Sequence, residues 1–153
     1  MSFRISGLPA AAFEHLFAMS DAELARHGAL RKVADTDGYP CRISLTDASV
    51  GDVVLLVNHL HQPADTPYRA CHAIYVREGE RTFDAIDEVP EQLRRRILSV
   101  RGFDAAGMMT RADLVDGADL AAMIGTLFAD PGTDYLQVHF AKPGCYAARV
   151  ERA

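Results

Sequence analysis

No run of apolar residues in this chain approaches the ~18 that cross a membrane as a helix. The first residues, Met1 to Pro9, hold one arginine and no apolar stretch of signal-peptide length. A cytoplasmic protein without membrane contact is expected. The three cysteines stand at positions 41, 71 and 145 and form no C-x-x-C. An odd number in a reducing compartment argues against a disulfide framework, so free thiols are expected. Positive charge is not in excess either: 16 basic residues face 21 acidic ones, a net charge of −5. Nucleic-acid binding normally leaves a basic footprint. The one dense basic run, Arg94-Arg95-Arg96, follows Asp87, Glu88 and Glu91 and reads as solvated surface, with those acids capping a turn at Pro90. There is no G-x-x-x-x-G-K-[ST], no G-x-G-x-x-G after a strand and no G-x-S-x-G. Nucleotide-phosphate cradles and an α/β-hydrolase elbow therefore have no support. Internal repeats and low-complexity tracts are absent as well.

What remains is an ordinary globular composition of 153 residues, 49% hydrophobic and 24% charged. One domain over residues 1–153 is expected, since a chain of that size buries roughly 70% of its unfolded surface. Phe3 and Ile5 alternate with polar neighbours in a short strand. Pro9 suits the first turn of a helix to about Met19, with Phe13, Leu16 and Phe17 on one face. Ser20 and Glu23 form a capping-box pair that starts a second helix, ended by Gly28. Asp35 to Gly38 is a turn by composition.

The densest part of the chain runs from Gly38 to Arg77. Cys41, Ile43 and Leu45 alternate with Arg42, Ser44 and Thr46, the period of a half-buried strand. Val53 to Val57 is apolar without a break and reads as an interior strand covered on both faces. Asn58 to Tyr68, with Pro63 and Pro67, reads as a loop, and His72 to Val76 as a further strand. Beyond it come one helical turn at Pro90 to Arg96 and a strand at Ile97 to Phe103. A helix after Asp116 places Leu120, Met123, Ile124, Leu127 and Phe128 in one stripe. Tyr135 to Phe140 and Cys145 to Val150 flank Ala141 to Gly144 as a hairpin. About seven clustered strands and three helices predict an α+β domain with a largely antiparallel sheet, mixed or partly barrel-like as an alternative.

Tyr39-Pro40-Cys41-Arg42 with Leu45, Gly51-Asp52 before the apolar strand, and Pro67-Tyr68 followed by His72-Ala73-Ile74-Tyr75-Val76 resemble a bacterial family, domain of unknown function 1203. The resemblance covers nearly the whole chain. It implies no activity, because the family has no assigned function, but it nominates positions.

Cys41 beside Arg42 has the setting of an activated thiolate, yet strand parity turns it toward the core, where free cysteines usually lie. Arg42 and Ser44 take the opposite face. An arginine there needs a partner, either an acid such as Asp47 or Asp52 or a bound anion. His72 falls with Ile74 and Val76, the setting of a structural histidine more often than of a catalyst. His139 pairs with Tyr146 or with Cys145 according to the hairpin loop length, and only the second would make a Cys-His pair. His59-Leu60-His61 has the spacing of two zinc ligands but no third ligand near it, so no metal and no cofactor are expected. The candidate ligand-binding set is Arg42, Ser44, Asn58, His59, Tyr68, Arg69, His72 and His139. The expected function is binding of an anionic small molecule, with or without catalysis. The alternative is a protein-interaction or regulatory domain, and a pocket as against a flat apolar patch separates the two. The sequence leaves oligomeric state and ligand identity open.

Overall fold

Local pattern accounts for most of the elements in the computed structural model, which describes residues 1–153. In chain order they are β1 (Phe3–Ser6), α1 (Glu14–Phe17), α2 (Asp21–Arg26), β2 (Leu30–Val33), β3 (Tyr39–Pro40), β4 (Asp47–Ala48), β5 (Val53–Gln62) and β6 (Ala70–Val76). Then follow β7 (Asp84–Ile86), α3 (Glu91–Arg94), β8 (Ile97–Phe103), β9 (Met109–Asp116), α4 (Leu120–Phe128), β10 (Tyr135–Phe140) and β11 (Tyr146–Arg152). Single 3-10 turns at Ala10–Ala12 and Gly117–Asp119 lead into α1 and α4. The strands form a six-stranded sheet in the order β7-β1-β11-β10-β8-β9, a three-stranded sheet β2-β5-β6 and the ribbon β3-β4. All strand pairs are antiparallel, and no sheet closes into a barrel. This is the α+β class. No helix is long and apolar enough to cross a membrane.

The main core lies between the six-stranded sheet and α4. Leu120, Ile124, Leu127 and Phe128 bury their stripe against Leu98, Val100, Leu136, Val138 and Val150. Each such side chain contributes roughly 1.5–3 kcal/mol by leaving water. A second core lies on the three-stranded sheet, where Leu55, Val57, Ile74 and Val76 meet Phe13, Leu16, Leu24, Cys41 and Ile43. β5 is the central strand of its sheet, and Val54, on its other face, packs with Ala34 and Ala48, so it is covered on both sides there, whereas Val53 at its start is 50% exposed and Leu56 is half-buried. The capping box forms as predicted: Glu23 N donates to Ser20 Oγ at 3.2 Å, and Ser20 N to the Glu23 carboxylate at 2.7 Å.

Several expectations need correction. The strand expected over Cys41 to Leu45 is a tight turn. Cys41 N donates to Thr46 O, Leu45 N donates to Cys41 O, and Leu45 takes a φ of 53°. Its residues are buried in succession, Arg42 and Ser44 included, so no alternating face exists. The loop expected over Asn58 to Tyr68 is strand as far as Gln62, with only residues 63–69 outside β5 and β6. Polar residues continue that strand because its inner face meets a polar layer. β2 and β9 were not expected at all, and the helix expected from Pro9 to Met19 is a 3-10 turn followed by the short α1. The hairpin loop places His139 opposite Tyr146, with a bulge beside it, so His139 and Cys145 do not pair.

Candidate functional site

The turn that carries Arg42 is clamped from three directions. Arg42 N donates to Tyr75 O of β6 at 3.0 Å, and Leu8 N donates to Arg42 O at 2.8 Å. Gly7 lies so close that a β-carbon there would run into the Ile43 carbonyl oxygen. From this fixed backbone the Arg42 side chain passes inward and ends 1% exposed. Nε donates to Tyr146 O at 2.8 Å, one terminal nitrogen to Pro40 O at 2.6 Å, and the other to Cys145 Sγ at 2.9 Å. The guanidinium carbon lies 5.0 Å from the centre of the Phe140 ring.

No carboxylate answers this charge. The acids expected to pair with Arg42 are taken, Asp47 by Arg96 at 2.9 Å and Asp52 by Arg77. The other ion pairs join Arg4 to Asp84, Arg31 to Asp21, Arg77 to Glu80 and Arg149 to Glu151. A guanidinium has five N–H groups, and three of these are committed here. Burial pushes the Arg42 pKa below its ordinary value, while Cys145 and Cys41 nearby act the other way.

Beside this guanidinium opens a cavity of about 600 Å³. Its lining is mainly apolar, with Leu56, Tyr75, Ile97 and Phe140 in the wall, and Arg42, Arg96, Lys142, His72 and Cys145 are among the residues that border it. No aspartate or glutamate is among its lining residues. Arg96 shares the Phe140 ring with Arg42, again at 5.0 Å. The lining thus joins a mainly apolar wall to three basic residues, of which Arg96 is already paired with Asp47.

A second polar group lies between the two larger sheets. Gln137 Oε1 accepts from His61 Nδ1 at 2.9 Å, and Gln137 Nε2 donates to His61 O at 2.9 Å. His139 Nδ1 lies 3.0 Å from Gly144 O and Nε2 lies 3.2 Å from Gln137 Oε1. A neutral ring has one N–H to give, and the shorter contact assigns it to Gly144. Burial drives His139 down to about 3, outweighing the Gly144 carbonyl, and Arg101, His61 and His72 push the same way as burial. His59 and His61 are lowered too, first by burial. Arg101 is likewise lowered by burial and belongs to no ion pair. His61 stacks on Tyr146 at 5.5 Å, and burial raises the Tyr146 hydroxyl.

Of the residues nominated from sequence, Arg42 and His72 reach the cavity together. His59 stands opposite His72 in register and His139 lies in the histidine layer. Ser44 bonds Thr46 at 2.7 Å and lines a different hollow. Asn58 is exposed, Tyr68 meets Phe103 edge-on at 6.3 Å, and Arg69 donates to Pro63 O, all away from the cavity. Cys41 is fully buried, and the thiol bonded to Arg42 is that of Cys145. No three histidine, cysteine, aspartate or glutamate side chains gather as a metal-holding set. Cys145, Lys142, Arg96 and Phe140 were missed as site residues. The only local hint was a lysine and a cysteine bracketing the hairpin turn.

The fold and cavity define a class: an α+β domain with a mainly apolar pocket, bordered by basic residues, at the junction of its two larger sheets. Within that class the chain belongs to the family described as Protein of unknown function (DUF1203), whose model matches residues 38–152. No curated protein and no solved structure matches the chain.

Proposed function

We propose that the protein binds a small anionic molecule, a carboxylate or phosphate with an apolar body, in the cavity beside Arg42. The observation that carries this reading is a guanidinium 1% exposed, bonded to two carbonyls and a sulfur, with no carboxylate partner and an open cavity at its side. An uncompensated buried charge is costly, and a ligand anion offsets that cost on binding. Lys142 at the same cavity adds attraction, and a concave site favours a small ligand over a flat partner surface. Three free thiols accord with residence in the cytoplasm.

The test is a thermal-shift screen of small carboxylates and phosphates, followed by calorimetry. A ligand at about 100 times its Kd adds about 2.7 kcal/mol of stability. Lys142 is exposed, so Lys142→Glu should fold normally and lose the shift. Arg42→Met, which removes a buried charge without a counter-ion, should lose it as well. A screen in which no anion raises the melting temperature, or a shift that survives Lys142→Glu, would defeat the reading.

A further inference from the structure

The anion reading leaves the thiol in the cavity without a task. Cys145 lies just before β11, 7% exposed, and its sulfur accepts from a guanidinium nitrogen at 2.9 Å. The other two cysteines differ from it in ways that make internal controls. Cys71 is exposed and has no arginine bonded to it, while Cys41 is fully buried and lines no cavity. Only Cys145 combines a guanidinium donor with a place in the lining of the cavity of about 600 Å³, which Lys142 also borders.

A cysteine sulfur that borders a cavity is placed to act as a nucleophile, and here a guanidinium nitrogen lies 2.9 Å from it. The Arg42 side chain cannot swing away, because its other two bonds go to main-chain carbonyls of Tyr146 and Pro40. Lys142, exposed on the hairpin turn three residues before Cys145, borders the same cavity and supplies a positive charge for a carboxylate to meet.

We propose that Cys145 is a nucleophile selective for small anionic electrophiles, of the class of carboxylic acids with an electrophilic carbon beside the carboxylate. In the reaction, Sγ attacks that carbon, a C–S bond forms, and the leaving group departs with the bonding electron pair; the thiol proton passes to solvent. The inference rests on the anion-binding reading for its selectivity and adds to it a covalent step.

Iodoacetate and iodoacetamide are the probes, identical at the reacting carbon and different in charge. In each, the C–I bond breaks and iodide leaves. An ordinary exposed thiolate favours the neutral amide, because it repels a carboxylate, and Cys71 reports that baseline in the same sample. Peptide mapping by mass spectrometry over time should show Cys145 modified at least about tenfold faster by iodoacetate than by iodoacetamide, relative to Cys71, a difference of the size that electrostatic steering supplies. Lys142→Glu should fold normally and erase that preference. Arg42→Met should slow both reagents at Cys145 while leaving Cys71 unchanged, and circular dichroism shows whether it is folded. If it is not, Lys142→Glu decides alone. A Cys145 that stays unmodified, that prefers the amide, or whose preference survives Lys142→Glu overturns the proposal. Thermal shift of Cys145→Ser with a non-electrophilic carboxylate or with inorganic phosphate separates the two readings. A retained shift beside an inert Cys145 removes the nucleophile and leaves the anion site standing.

Discussion

The two faces of the six-stranded sheet are built on opposite principles, and β10 shows both. Its residues Leu136 and Val138 lie in the apolar core with α4, whereas Tyr135, Gln137 and His139 face β5 across a layer of histidines and amides, and Phe140 at the end joins that core and the cavity wall. All six are buried. The dry face gains from area removed from water and asks only for volume and shape. The other face must satisfy each polar group, and Gln62 to Tyr135 at 2.8 Å and His61 to Gln137 at 2.9 Å show how. A buried polar layer costs stability when a partner is missing and fixes the docking of two sheets when all are present. The cavity opens at one end of this layer, near His72 and Cys145.

Acid should part the two faces most. His139 titrates near 3 in the fold, against an unfolded value near 6.5, because burial opposes its charge. Between those values the unfolded chain binds the extra proton, so stability is fully present above about pH 6.5 and is lost as pH falls toward 3. The loss should be on the order of 4 kcal/mol at the acid end, with His59 and His61 adding in the same direction. Urea denaturation at pH 7 and pH 4.5 reads it, and His139→Gln should flatten the dependence. A slope unchanged by that substitution would assign the acid sensitivity elsewhere.

On the dry face, Leu136→Ala should cost about 2–5 kcal/mol by opening a cavity under α4. Its cost should be the same at pH 7 and pH 5.5, since no titrating group touches the change. Gln137→Leu, one residue along and on the other face, should cost less, about 1–3 kcal/mol, by stranding His61 Nδ1 and the His61 carbonyl. Equal costs for the two, or a stabilising Gln137→Leu, would mean that the polar layer is retained for what it does at the cavity and not for holding the sheets.

The same contrast governs what could be read before the structure. The stripe of α4, the capping box at Ser20, the hairpin from Tyr135 to Val150 and the apolar β5 were legible because each has a local mark: a helical period, a cap pair, a turn between strands, an unbroken apolar run. β2 and β9 lie at sheet edges with nearly every residue open to water, so no apolar period marks them. Asn58 to Gln62 read as a loop because polarity usually means solvent, and here His61 and Gln62 instead bond into the polar layer between the sheets. Arg42 stood out as an arginine in the densest part of the chain. Its partner could not, because the bond to Cys145 spans 103 residues of sequence and depends on how two sheets meet. Expected acids were near in sequence but committed to Arg96 and Arg77.

The place of β11 bears on how the protein is made. It is bonded to β1 on one side and to β10 on the other, from Phe3 opposite Arg152 to His139 opposite Tyr146. Without it the large sheet is two pieces, β7-β1 and β10-β8-β9, each with an open edge. Synthesis delivers β11 after all the strands it joins. A nascent chain therefore holds both halves apart until the end, with the Phe3 and Leu136 strands uncapped and able to recruit foreign strands. Chaperones that shield such edges should matter more to this protein on the ribosome than its finished, edge-protected β1 and β10 would suggest.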